Sequence, residues 1–207
     1  MVRGDTGDMT PSSWAGSLLV ATPALGDPSF HRSVVLLLDH DEDGALGVVV
    51  NRPTEVDVGA VLPDWQAYAG VPGVVFHGGP VDLDSALALG AVRSALHGPT
   101  GLVVPGPAGS DLLGWRRVIG DLGLVDLDAP PELVVPALDS LRIFAGYAGW
   151  GSDQLTAEIE EGAWYVVPSD AADAFAGNPE DLWLHVLRRQ PGELAWVSTR
   201  PVDPTMN

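Results

Sequence analysis

Short runs of branched apolar residues, each closed by Gly, Pro or Asp, recur along the chain: SVVLLLD at 33–39, ALGVVVN at 45–51, GVVFH at 73–77 and ALALGAV at 86–92. Runs at 16–22, 101–105, 141–146 and 163–167 have the same character. Their length, β-branching and turn-forming borders predict strands. Several are apolar throughout, which predicts a sheet covered on both faces. A helical period appears instead from Asn178, a predicted N-cap, through Pro179 to Arg188 and Arg189. Glu180 and Asp181 lie at its positive end, and Pro191 and Gly192 follow as a stop. Leu182, Trp183, Val186 and Leu187 form the apolar stripe, with His185 on its flank. A shorter helix is predicted from Ser152 or Asp153 to Gly162, a third over 169–176, and another near 111–120. No repeat and no linker interrupts the chain. The pattern predicts one α+β domain on a mixed, largely antiparallel sheet, with 1–13 as a flexible N-terminus and 14–207 as the domain.

Residues 34–53, VVLLLDHDEDGALGVVVNRP, place Asp39, Asp41, Asp43 and Gly44 between two apolar runs, like the opening of a calcium loop. A loop of that kind needs a bidentate glutamate at its twelfth position, where this chain has Val50, and helical flanks, where it has strand-like ones. Asp-Gly between two such runs is a hairpin signal, which leaves His40 near the turn in solvent.

Composition narrows the function classes. The 207 residues carry a net charge of −18, and all ten basic residues are arginine. That field repels phosphate, so direct nucleic-acid binding is disfavoured. The absence of cysteine excludes thiol catalysis, cysteine-based zinc sites and disulfides, and it fits a reducing cytosol. The N-terminal residues lack the basic and apolar regions of a secretory signal, and no run approaches the roughly 20 apolar residues of a membrane span. The expectation is a cytoplasmic protein without a membrane anchor.

The usual catalytic motifs fail one by one. There is no G-x-S-x-G elbow. HGGP at 77–80 resembles an oxyanion loop but has no nucleophile to serve, so a tight glycine turn rigidified by Pro80 is the favoured reading, with the loop's amides still able to accept a small anion. His31, His40, His77, His97 and His185 occur singly, without metal-ligand spacing. PGPAGSDLLG lacks the lysine and the glycine spacing of a phosphate loop. Neither a metal nor a cofactor is expected. What remains is a set of polar and aromatic residues beside strand ends: Arg32, Asn51, Arg52, His77, Gly78, Gly79, Tyr147, Trp150, Gln154 and Glu158. Glu158 falls at the edge of a buried helical stripe, where an arginine is the expected partner, either in a structural pair or in a ligand site.

Four segments in a fixed order, GSLLVATPALGDPSFHRSVVLLLDHDEDGALGVVVNRP, VFHGGPV, FAGYAGWGSDQLTAEIEEGAWYVV and LWLHVLRRQPGELAWVSTRPVDPTMN, resemble the AlgH/YqgE family of bacterial proteins from about residue 14 to the C-terminus. The resemblance implies a branched β-sheet closed into a pseudo-barrel with peripheral helices. It implies no particular chemistry, because the family lacks an established activity; one member's name links it to transcriptional regulation of alginate synthesis. By motif, Asp27, Pro28, Phe30, Arg32 and Ser33 match D-P-x-F-x-R-S, and Asn51 to Pro53 match N-R-P. Gly78 to Val81 match G-G-P-V, and Gly146 to Trp150 match G-Y-A-G-W. Asp153 and Thr156 depart from the glycine and glutamate more usual there.

Two readings follow. In the first, a non-enzymatic binding or regulatory protein recognises a protein or small-molecule partner over the N-R-P, G-G-P-V and G-Y-A-G-W segments, with Tyr147 and Trp150 lining an apolar cleft. In the second, a hydrolase-like enzyme with an unrecognised small-molecule site gathers Arg32, His77 and Glu158 into one pocket.

Overall fold

The computed structural model describes residues 13–93 and 114–198. Ten strands among these residues carry the architecture: β1 (Ser17–Ala21), β2 (Val34–Asp41), β3 (Gly44–Val49), β4 (Pro53–Asp57), β5 (Val74–His77), β6 (Val81–Val92), β7 (Trp115–Ile119), β8 (Leu122–Val125), β9 (Leu138–Gly151) and β10 (Trp164–Pro168). They form one curled, mostly antiparallel sheet, a half-barrel, in the order β10-β1-β2-β3-β9-β6-β8-β7. Strand β9 makes the branch. One of its edges pairs with β6, while the other pairs with β3 near Gly151 and, in parallel, with β5 at Phe144 and Ala145.

Among the described residues five short helices surround the sheet: α1 (Val58–Val61), α2 (Pro131–Val134), α3 (Gln154–Glu160), α4 (Leu182–Arg188) and α5 (Glu193–Val197). Alternation along β1 to β3 sorts side chains to two buried faces. Leu18, Val20, Val34, Leu36 and Val48 join Phe76, Phe144 and the α4 residues Trp183, Val186 and Leu187 on one face. Leu19, Ala21, Val35, Leu37 and Val49 join Trp150, Leu155 and Trp164 under α3 on the other. At about 1.5–3 kcal/mol for each large side chain, both faces contribute heavily to stability. The expectation of a sheet covered on both sides holds.

Several local readings change. The β2–β3 hairpin forms, but Asp41 pairs with Gly44, so Glu42 and Asp43 make the turn. Asp41 Oδ1 accepts from the amides of Asp43 and Gly44, which fixes that register. His40 is half-buried rather than solvated: its Nδ1 accepts the Trp14 amide at 3.0 Å, and the two rings stack at 4.8 Å. The described part of 111–120 is strand β7, because Arg116 and Arg117 pair with Leu124 and Gly123 of β8 across a turn with Gly120 at φ 53°. Asn178 does not cap backbone; it donates to Asp181, and a 3-10 turn (Pro179–Asp181) precedes α4. The predicted third helix is a 3-10 turn (Ala171–Phe175) closed by a capping box between Asp170 and Asp173. The strand expected at 101–105 lies outside the described residues.

Candidate functional site

The candidate residues occupy three neighbouring places. The first is the corner before β2. Asp27 Oδ1 accepts the Ser29 amide at 2.8 Å and starts a 3-10 turn (Pro28–Phe30). Arg32 then takes the left-handed φ of 53° that turns the chain into β2. Asn51, two residues past the end of β3, fixes this corner: its Oδ1 accepts the Val34 amide at 2.9 Å, and its Nδ2 donates to the Arg32 carbonyl at 3.0 Å. Asn51 is buried, so both bonds replace water that it no longer meets. Arg52 Nη2 donates to the His31 carbonyl at 2.8 Å. Burial pulls the Arg52 guanidinium below the ordinary arginine range, and the charge of Asp27 works in the opposite sense. The Arg32 guanidinium lies 4.7 Å from the centre of the Trp183 ring, a cation–π contact.

The second place is the crossing of β5 and β9. The His77 amide donates to the Arg52 carbonyl, and the Gly78 amide to the Ala145 carbonyl, both at 2.8 Å. The Gly78 carbonyl in turn accepts the Val49 amide. A Cβ on Gly78 would strike the Gly146 carbonyl, and one on Gly79 would strike the backbone of Tyr147. The two glycines let two backbones touch, and the Gly78 amide is spent on β9 rather than on an open anion site.

The third place is the α3 edge. Glu158 Oε2 accepts the indole N–H groups of Trp150 at 2.9 Å and Trp164 at 2.8 Å, and Oε1 accepts Gln154 Nε2 at 2.9 Å. Gln154 Oε1 accepts the Gly151 amide, which ties α3 to the end of β9. Phe30 completes the cluster, 6.2 Å from Trp150 and 5.4 Å from Trp164 between ring centres, with the two indoles edge to face at 6.0 Å.

These contacts answer the expectations. The partner of Glu158 is a pair of indoles and an amide, not the expected arginine. Arg32 reaches the α4 face of the sheet through Trp183, whereas Glu158 lies on the α3 face with Trp150 and Trp164, so the geometry does not gather Arg32, His77 and Glu158 into one pocket. Tyr147 packs with the α4 face and Trp150 with the α3 face, so they line no common cleft. Among the described residues no group of three His, Asp or Glu is placed to hold a metal.

Sequence reasoning missed Arg142, which is 2% exposed. Its guanidinium donates to the carbonyls of Val71, Ala174 and Ala176 at 2.9–3.1 Å and stacks 4.1 Å from the Phe76 ring centre. Burial lowers its pKa to about 10. The signal was a lone charge inside the apolar run at 141–146.

The fold defines an α+β half-barrel whose most prominent polar side chains bind its own backbone and indoles. A family model described as DUF179, AlgH-like, matches residues 18–195. A UPF0301 protein of Streptomyces coelicolor is 61% identical over 198 residues, which cover 95% of this chain and 96% of that one. A UPF0301 protein of Mycobacterium leprae is 45% identical, with 93% and 90% covered. A crystal structure of a Corynebacterium diphtheriae protein is similar at a TM-score of 0.78 and 32% identity, covering 97% of this chain and 95% of that one. The solution structure of AlgH from Pseudomonas aeruginosa is similar at 0.64 and 25%, covering 98% and 100%. The chain belongs to the AlgH-like UPF0301 family, which has no established biochemical activity. No helix among the described residues is long and apolar enough to cross a membrane.

Proposed function

We propose that the protein works by recognising a partner in the cytoplasm, as a binding or regulatory protein, rather than by turning over a substrate. The observation that carries this reading is the commitment of Glu158. A general base or nucleophile needs an approach to its oxygen, and here both oxygens are engaged by donors from Trp150, Trp164 and Gln154. The same holds for Asn51, whose amide spans the corner before β2. The net charge of −18 favours a protein or small-molecule partner over nucleic acid.

The test is an assay of the purified protein against arrays of p-nitrophenyl esters, phosphates and glycosides. The reading expects rates equal to buffer. Turnover that disappears in Arg52→Ala or His77→Ala, with the melting temperature kept, would replace it with the enzyme reading.

A further inference from the structure

We propose that His40 is a pH-operated latch on the chain entering β1. Neutral, it holds Trp14 down on the sheet; protonated, it releases Trp14 from the apolar surface that the indole covers.

The Trp14 amide can only donate, and the atom it meets at 3.0 Å is His40 Nδ1. That nitrogen must therefore keep its lone pair, which puts the ring proton on Nε2. In an imidazolium both nitrogens are donors, so no orientation of the charged ring offers the amide an acceptor. Two N–H groups would face each other at hydrogen-bond distance, and one of them has to leave. The ring is anchored through its strand: His40 pairs with Ala45 of β3, and its own amide donates to Asp39 Oδ1 at 3.0 Å. The segment before β1 is held to His40 by the Trp14 amide, by the stacked rings and by the Ser13 hydroxyl, which donates to the His40 carbonyl at 2.8 Å. Ser13 does not titrate, so it stays as a tether while the Trp14 amide lets go.

The charged groups on the elements around the ring are acidic. Asp39 and Asp41 flank it on β2, and Glu42 and Asp43 form the adjoining turn, all four exposed. On the face that Trp14 covers, α3 carries Glu158, already held by two indoles, and Glu160, which is exposed. β1 and the facing β3 bring no charge. No positive charge on these elements opposes a proton arriving on the ring.

The Trp14 indole is half-buried and packs on the cluster of Leu19, Leu37 and Trp164. It also borders a cavity of about 530 Å³, lined mainly by Trp14 to Ser17 on the β1 side and by Val166 to Ser169 on the β10 side. Release of Trp14 widens this cavity, so acid exposes an apolar surface that neutral pH keeps covered.

The test is NMR of the full chain from about pH 8 to about pH 5, the span in which histidine changes charge. Long-range 15N correlations of the His40 ring should show Nδ1 without a proton at the alkaline end. As the ring gains its second proton, protection of the Trp14 amide against exchange, corrected for the intrinsic effect of pH, should fall about tenfold with the same midpoint. Amides of β9 should keep their protection, because the sheet stays folded. Coincidence of the two wild-type midpoints is read without any variant. His40→Gln, which offers an acceptor oxygen but does not titrate, should remove the pH step. A proton on Nδ1 at the alkaline end, Trp14 protection that does not follow the titration of His40, or a step that survives in His40→Gln would each overturn the latch.

Discussion

Trp164 donates its indole N–H to Glu158 at 2.8 Å, across the packing of α3 on the sheet. Trp150 donates to the same oxygen, so one carboxylate holds two indoles that reach it from different strands. Such a group stabilises by accepting donors that burial has taken from water.

Glu158→Ala leaves both indole N–H groups without an acceptor. The expected cost is about 1.5–3 kcal/mol, the range for hydrogen bonds to a charged group. Urea unfolding followed by tryptophan fluorescence measures it directly. Glu158→Gln keeps one acceptor oxygen and should cost less.

Asn51→Leu removes an acceptor from the Val34 amide and a donor from the Arg32 carbonyl at a buried site. A loss of about 1–3 kcal/mol is expected. Asn51→Asp keeps the acceptor but sets a carboxylate against the Arg32 carbonyl. It should therefore be the less stable of the two above the aspartate pKa and recover in acid, which thermal melts at several pH values would reveal.

How far the sequence showed this fold depended on the range of each interaction. The hairpin of β2 and β3 was visible because its apolar runs and turn lie side by side in the chain, although the turn moved by one residue to Glu42 and Asp43. β7 was misread because Leu-Leu-Gly-Trp-Arg-Arg has no clean period of two, while the Gly120-Asp121 pair that closes the β7–β8 hairpin was a usable signal. The candidate residues were found one by one, yet their partners were not. Trp150 and Trp164 meet at Glu158 only because α3 covers the face that β9 and β10 share, a relation that no spacing displays.

Gly79→Ala should be among the most damaging single substitutions. The added Cβ meets the Tyr147 backbone, and the φ of 153° suits glycine. Overpacking here is expected to cost about 1–3 kcal/mol or more, because a strand backbone yields less readily than a side chain. Loss of soluble yield, or a lowered melting temperature, checks it.

Arg142 gives a prediction in alkali. Burial holds its pKa at about 10 in the fold, below the ordinary arginine value of the unfolded chain. Between those values the unfolded chain binds the extra proton, so this residue's contribution to stability rises with pH across that window. The difference in unfolding free energy between wild type and Arg142→Met should shift toward wild type from pH 10 upward. At neutral pH Arg142→Ala should cost more than Arg142→Met, since both orphan three carbonyls but only alanine also leaves a void beside Phe76.

The claim that these residues form the frame rather than a reactive centre is tested most directly by a double-mutant cycle between Glu158→Ala and Trp164→Phe, read by urea unfolding at neutral pH. The account predicts a favourable coupling of about 1–2 kcal/mol, with each single variant less stable than wild type. A coupling of zero within error, or a Glu158→Ala variant as stable as wild type, would show that the carboxylate is not holding the indoles and would contradict it.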